Sequence, residues 1–155
     1  MSTFLVPLSL WLHALATIVM VGHYVFTGLI YLPVFERRMQ ANTLCELLEQ
    51  VSTRLRPYFG GSLLIFLVTG TYLMLINQDY LGLGHFFDNP WSALIVIKHV
   101  LVLVFLVLAI YSERAYMKHI GNENPKALEK FRLSVNINLA LGVVIVLMTS
   151  VAQAG

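Results

Sequence analysis

Charge is scarce in this chain. Only 12% of its 155 residues are Asp, Glu, Lys or Arg, while 58% are hydrophobic and the mean hydropathy is +0.77. A soluble domain carries about a quarter charged residues, so this scarcity excludes a water-soluble globule and leaves an integral membrane protein. The formal net charge of +2 is divided among apolar runs and gives no footprint for a nucleic-acid partner. A single cysteine, Cys45, excludes an internal disulfide and reads as a small apolar filler. No basic stretch precedes the first apolar run, which exceeds the ~7 to 15 residues of a signal-peptide core, so the N-terminus is expected to be retained. Internal repeats and low-complexity tracts are also missing. Residues 1–155 therefore read as a single membrane domain.

What is present is a series of apolar runs. A helix needs ~20 mainly apolar residues to cross the hydrocarbon, and four stretches qualify. They are Leu5 to Phe35, Tyr58 to Ile76, Trp91 to Ser112 and Leu133 to Ala152. The first is over-long, which predicts a tilt or a bend near Pro33. The basic residues sort sharply. Arg37, Arg38, Arg54 and Arg56 fall between spans one and two, and Arg114, Lys118, Lys126, Lys130 and Arg132 between spans three and four. Lys98 alone lies inside a span, and the opposite side has only Asp79 and Asp88. The positive-inside rule then puts both termini outside. The fold class is an all-α, four-transmembrane-helix bundle, N-out and C-out. A short amphipathic cytoplasmic helix precedes span two, with Leu44, Leu47, Leu48, Val51 and Leu55 at helical spacing and a kink expected at Pro57. On the outside, Tyr80, Phe86, Phe87 and Trp91 are expected at the headgroup level, with His85 solvated beside them.

Histidines inside such spans need a reason, because a polar side chain in hydrocarbon is costly and usually faces the bundle interior or a functional group. His13 lies ~12 Å below the outer end of span one, and His99 lies ~12 Å below the outer end of span three. Two imidazoles at one depth on different helices match the axial ligation of a single haem iron. Gly70 and Gly142 fall at comparable depths, where absent side chains would let a flat macrocycle approach, although packing of small residues between helices explains them equally well. Lys98 would snorkel outward or pair with a haem propionate or an acidic substrate group; diverging by about 100° from His99, it cannot aim at the same iron. His23 lies ~15 Å deeper than His13 along span one, with Met20 three residues before it. His13, Met20 and His23 thus form a stripe of ligands of which thioether and imidazole suit Cu(I). The bland alternative is that each histidine only hydrogen-bonds, to a backbone carbonyl or to Thr17, Thr69, Thr71, Asn136 or Asn138.

The segments "LHALATIVMVG", "LPVFERRM", "LIFLVTGTYLML", "PWSALIVIKHVLVLVFLVLAIYSE" and "FRLSVNINLALGVVIVLMTS" resemble the copper resistance D (CopD) domain superfamily over nearly the whole chain. That resemblance places the family pattern on His13, Gly22, Thr69 with Gly70, and Lys98. Gly28 to Pro33, "GLIYLP", is also similar to a segment of the HemJ-type protoporphyrinogen oxidases, which implies haem b and puts weight on His13 and Lys98. Val34 stands where that group has an arginine.

Three functions follow as expectations. The first is a haem b protein of one-electron transfer, with His13 and His99 as axial ligands and a quinol, a porphyrinogen or a redox protein as partner. The second is Cu(I) transport or resistance of the CopD type through His13, Met20 and His23. The third is a non-catalytic structural subunit. No catalytic residue is nominated, and whether the chain is an enzyme stays open, as does a homodimer in the lipid. The expected location is the inner (plasma) membrane of a bacterium, as a multi-pass protein.

Overall fold

The computed structural model describes residues 2–82, 84–85, 88–120 and 125–154, and among these every regular element is a helix. Helix α1 (Ser2–Phe26) passes through a π-helical turn (Thr27–Tyr31) into one further turn, α2 (Leu32–Phe35). Then come α3 (Ala41–Ile76), α4 (Pro90–Ile120) and α5 (Pro125–Ala154). Four stretches, Phe4–Phe35, Asn42–Ile76, Pro90–Ala115 and Lys126–Ala152, are long and apolar enough to cross a membrane. The four expected spans are all there. Phe86 and Phe87, expected in the headgroup region, lie outside the described residues.

The bend expected near Pro33 takes the form of the π turn. Proline has no N–H for the carbonyl four residues back and its ring crowds that carbonyl, so a regular α-turn cannot be completed there. The chain winds wider just ahead of it, with the Leu32 N–H bonded to the Thr27 carbonyl.

The helices outrun the apolar runs at the basic end. With 36 residues, α3 is ~54 Å long against a hydrocarbon thickness of ~30 Å. The amphipathic stretch expected before span two is the first part of α3, which runs unbroken through Pro57. Leu44, Cys45 and Leu48 turn inward, whereas Glu46, Glu49 and Arg54 are exposed. Their inward face joins Leu32, Ala127 and Phe131 in a core continuous with Phe66, Phe105, Val135 and Ile145. Along the spans the outer surface is apolar too: Leu64, Val68, Leu103, Val107 and Leu147 are exposed, as lipid-facing residues are.

Two pairings fix how α1 sits. It packs chiefly on α3, and its second face runs antiparallel along α5. Down that second face Val21 meets Gly142, Gly28 meets Val135 and Asn136, and Glu36 pairs with Arg132 at 2.8 Å. Helix α4 lies mainly on α5 and begins at a firm cap. The Asn89 side chain accepts the Ser92 N–H at 2.6 Å and donates to the Asp79 carbonyl at 2.8 Å, just before Pro90 opens the helix. This cap sets the level at which Lys98 and His99 stand.

Candidate functional site

His13 is 5% exposed and is held by one turn of α3. Phe66, Thr69 and Gly70 are spaced by three and four residues, so they form one patch of that helix. The imidazole stacks on Phe66, with centroids 4.3 Å apart and planes at 23°. Its Nδ1 is 3.0 Å from the Thr69 hydroxyl oxygen. That hydroxyl has one hydrogen and donates it to the Ile65 carbonyl at 2.6 Å, so toward the histidine it accepts. Nδ1 therefore carries the ring proton and Nε2 keeps a lone pair. A bond at one ring nitrogen in this way fixes the tautomer and frees the other to accept a hydrogen bond or to ligate. His13 also lines a cavity of about 410 Å³ between α1 and α5, with Ala14, Thr17, Thr149 and Ser150 among its walls.

The glycines read as macrocycle faces are used differently. A Cβ on Gly70 would stand 3.1 Å from His13 Cε1, so the missing side chain makes room for the imidazole itself. A Cβ on Gly142 would stand 3.0 Å from Val21 Cγ1, so that glycine brings α5 close to α1. Both positions are filled by this chain's own side chains.

Lys98 and His99 stand within electrostatic reach of the His13 ring. Their surroundings differ from those of His13. Lys98 is half-buried, and His99 is exposed, with its Nδ1–H donating to the Ile95 carbonyl of its own helix at 2.7 Å. One ring is inside the bundle and the other at its surface.

Further along α1, Met20 is 4% exposed in the core beside Ala16 and Tyr24, and lines neither of the two cavities described here. His23 lies past it, edge-on to Tyr24 at 5.0 Å and to Phe59 at 6.3 Å. Its Nδ1 is buried without a hydrogen-bond partner. The ring lines a second cavity, of about 350 Å³, whose walls include Tyr24, Ser52, Arg56, Phe59 and Glu113. There the Glu113 Oε1 accepts bonds from the Ser52 hydroxyl and from Arg56 Nη2, the latter at 2.6 Å. His85 is exposed in the loop before α4.

Sequence reasoning passed over Ser52, Arg56 and Glu113. They come from two helices and meet only because α3 continues past the apolar run to run alongside α4. Nothing in their spacing announces the meeting. Among the described residues no group of three or more His, Cys, Asp or Glu is placed to hold a metal ion.

A family model described as copper resistance protein D, CopD, matches residues 49–152, about two thirds of the chain. The chain belongs to the copper resistance protein D family. It is accordingly a multi-pass inner-membrane protein of the copper-resistance type. The CopD match takes in Ser52, Arg56, the Thr69–Gly70 seat, Lys98, His99 and Glu113, whereas His13, Met20 and His23 on α1 precede it. It gives no support to a HemJ-type assignment. No curated protein and no solved structure matches the chain.

Proposed function

We propose that this CopD-family chain handles Cu(I) within the membrane, with His13 and His23 as two imidazole stations on α1. The observation that carries the reading is the His13 tautomer: Thr69 accepts from Nδ1, and the lone pair on Nε2 is left for a metal. His23 supplies the second station, where a buried ring nitrogen has no partner. The two lie ~15 Å apart along the helix, each on its own cavity. Between them the Met20 thioether is a soft ligand inside the core. Sites built from one or two soft ligands bind loosely, and a cargo ion has to leave as readily as it enters.

The test is an anaerobic Cu(I) titration of the purified protein against a coloured chelator, read together with its absorbance spectrum. Colourless protein that binds Cu(I), with binding weakened in His13→Ala and in His23→Ala, is the expected result. A Soret band lost in both His13→Ala and His99→Ala would replace this reading with bis-histidine haem b and one-electron transfer.

A further inference from the structure

We propose that the cavity beside His23 is a charge-exchange site, in which Glu113 is the counter-anion for a monovalent copper ion at His23 and Arg56 holds the cation's place until it arrives. The inference rests on the copper reading above and extends it to residues on α3 and α4.

Three observations meet in that cavity. An imidazole nitrogen of His23 is buried and unpartnered, which in a protein interior points to a ligand. A carboxylate, Glu113, lines the same space and lies within electrostatic reach of that ring. The carboxylate is already matched by a positive charge, the Arg56 guanidinium at 2.6 Å. A cation moving into a low-dielectric region needs an anion beside it, and Glu113 can provide one only if Arg56 lets go.

Exposure decides that Arg56 is the group that moves. Its side chain is 67% exposed, against 34% for Glu113, so the guanidinium comes in from the solvent and returns there easily. Exposed ion pairs are weakly held. Ser52 donates to the same Oε1, so the carboxylate keeps its position after the arginine leaves. Both bonds go to Oε1, and Oε2 takes part in neither.

The exchange is one charge for one. A monovalent ion entering as Arg56 withdraws leaves the charge of the cavity unchanged, whereas a divalent ion would add one positive charge to a cavity that Arg114 also lines. The site is therefore matched to Cu(I) rather than to Zn(II). Glu113 acts through its charge, as a positioning residue for the ion, and the ligand atom is the His23 nitrogen.

The experiment uses the full chain in lipid nanodiscs, titrated anaerobically with Cu(I) against a chelator and, separately, with Zn(II). Glu113→Gln keeps an acceptor for Ser52 and removes the charge; it should weaken one of two Cu(I) sites at least tenfold and leave the other intact. Arg56→Gln removes the competing cation and should tighten the same site several-fold, with Zn(II) binding now also rising because the carboxylate is unmatched. Should Glu113→Gln not fold, the Arg56→Gln variant alone decides. Unchanged Cu(I) binding in both variants, or weaker binding in Arg56→Gln, overturns the proposal. If His13→Ala still weakens binding in that case, the copper reading stands without it. If the unaltered chain binds no Cu(I), the copper reading itself has failed.

Discussion

Thr69→Val removes one hydroxyl and keeps the shape of the side chain. Thr69 is 6% exposed, and without its hydroxyl the buried His13 Nδ1–H loses that acceptor. An unsatisfied buried donor costs about 1–3 kcal/mol, and almost no cavity term is added because the volume is nearly conserved. The ring has two escapes. It can keep the unpaired Nδ1 proton and pay that cost in stability, or move the proton to Nε2 and lose the lone pair that a metal would use. In metal sites, loss of the group that orients a ligating histidine lowers affinity about 10- to 100-fold, or about 1.4 to 2.7 kcal/mol. Chelator competition for Cu(I) measures the affinity, and a thermal melt in the same detergent measures the stability. Thr69→Ser, which keeps the hydroxyl, should restore both. Unchanged Cu(I) affinity in a Thr69→Val protein that melts earlier would make the hydrogen bond purely structural and remove the support for His13 as a ligand.

The glycine contacts give further expectations. Gly70→Ala would press its new methyl to 3.1 Å from His13 Cε1; the ring must shift by a few tenths of an ångström, lowering Cu(I) affinity more than melting temperature. Gly142→Ala meets both Val21 methyl carbons at 3.0 and 3.1 Å, and overpacking of this kind costs about 1–3 kcal/mol, measured as a lower melting point. Adding Val21→Ala should recover much of that loss, and failure to do so would mean that α1 and α5 are not in this register. The positive-inside orientation can be checked directly. In a Cys45→Ala background, an impermeant thiol reagent added outside intact cells should label Asp79→Cys and spare Lys126→Cys; the reverse pattern would invert the topology.

The large-scale architecture was legible because hydrocarbon imposes it: four runs of sufficient length became four helices, and the run that held Pro33 became the one with a distorted turn. Helix ends were not legible in the same way. Hydropathy falls where charges begin, yet Leu44, Leu48 and Phe131 stay in the core among charged neighbours because one face of an amphipathic helix is enough to continue the packing. The expected depth of His13 and His99 rested on counting residues, since every residue adds the same rise. Their azimuth did not, because which side of α4 turns inward is decided by how it lies on α5. Thr69 stood among several candidate partners for His13, and only the packing of α3 against α1 selected it. Glu113 was passed over because it sat at the wrong end for a cofactor in the outer half. It stands at the other end of α1 from His13, where it shares a cavity with His23.

The widened turn at Thr27–Tyr31 makes the length of α1 more forgiving there than in its regular part. Taking one residue out of that turn would shorten the Leu32-to-Thr27 bond to the four-residue spacing of an α-helix and keep the faces on either side in register, whereas a deletion between His23 and the turn would rotate everything before it by about 100° relative to the Glu36–Arg132 anchor. In that second case the imidazoles would swing off their seats together. A one-codon deletion at Val25 should thus silence both stations at once while every span still crosses the bilayer.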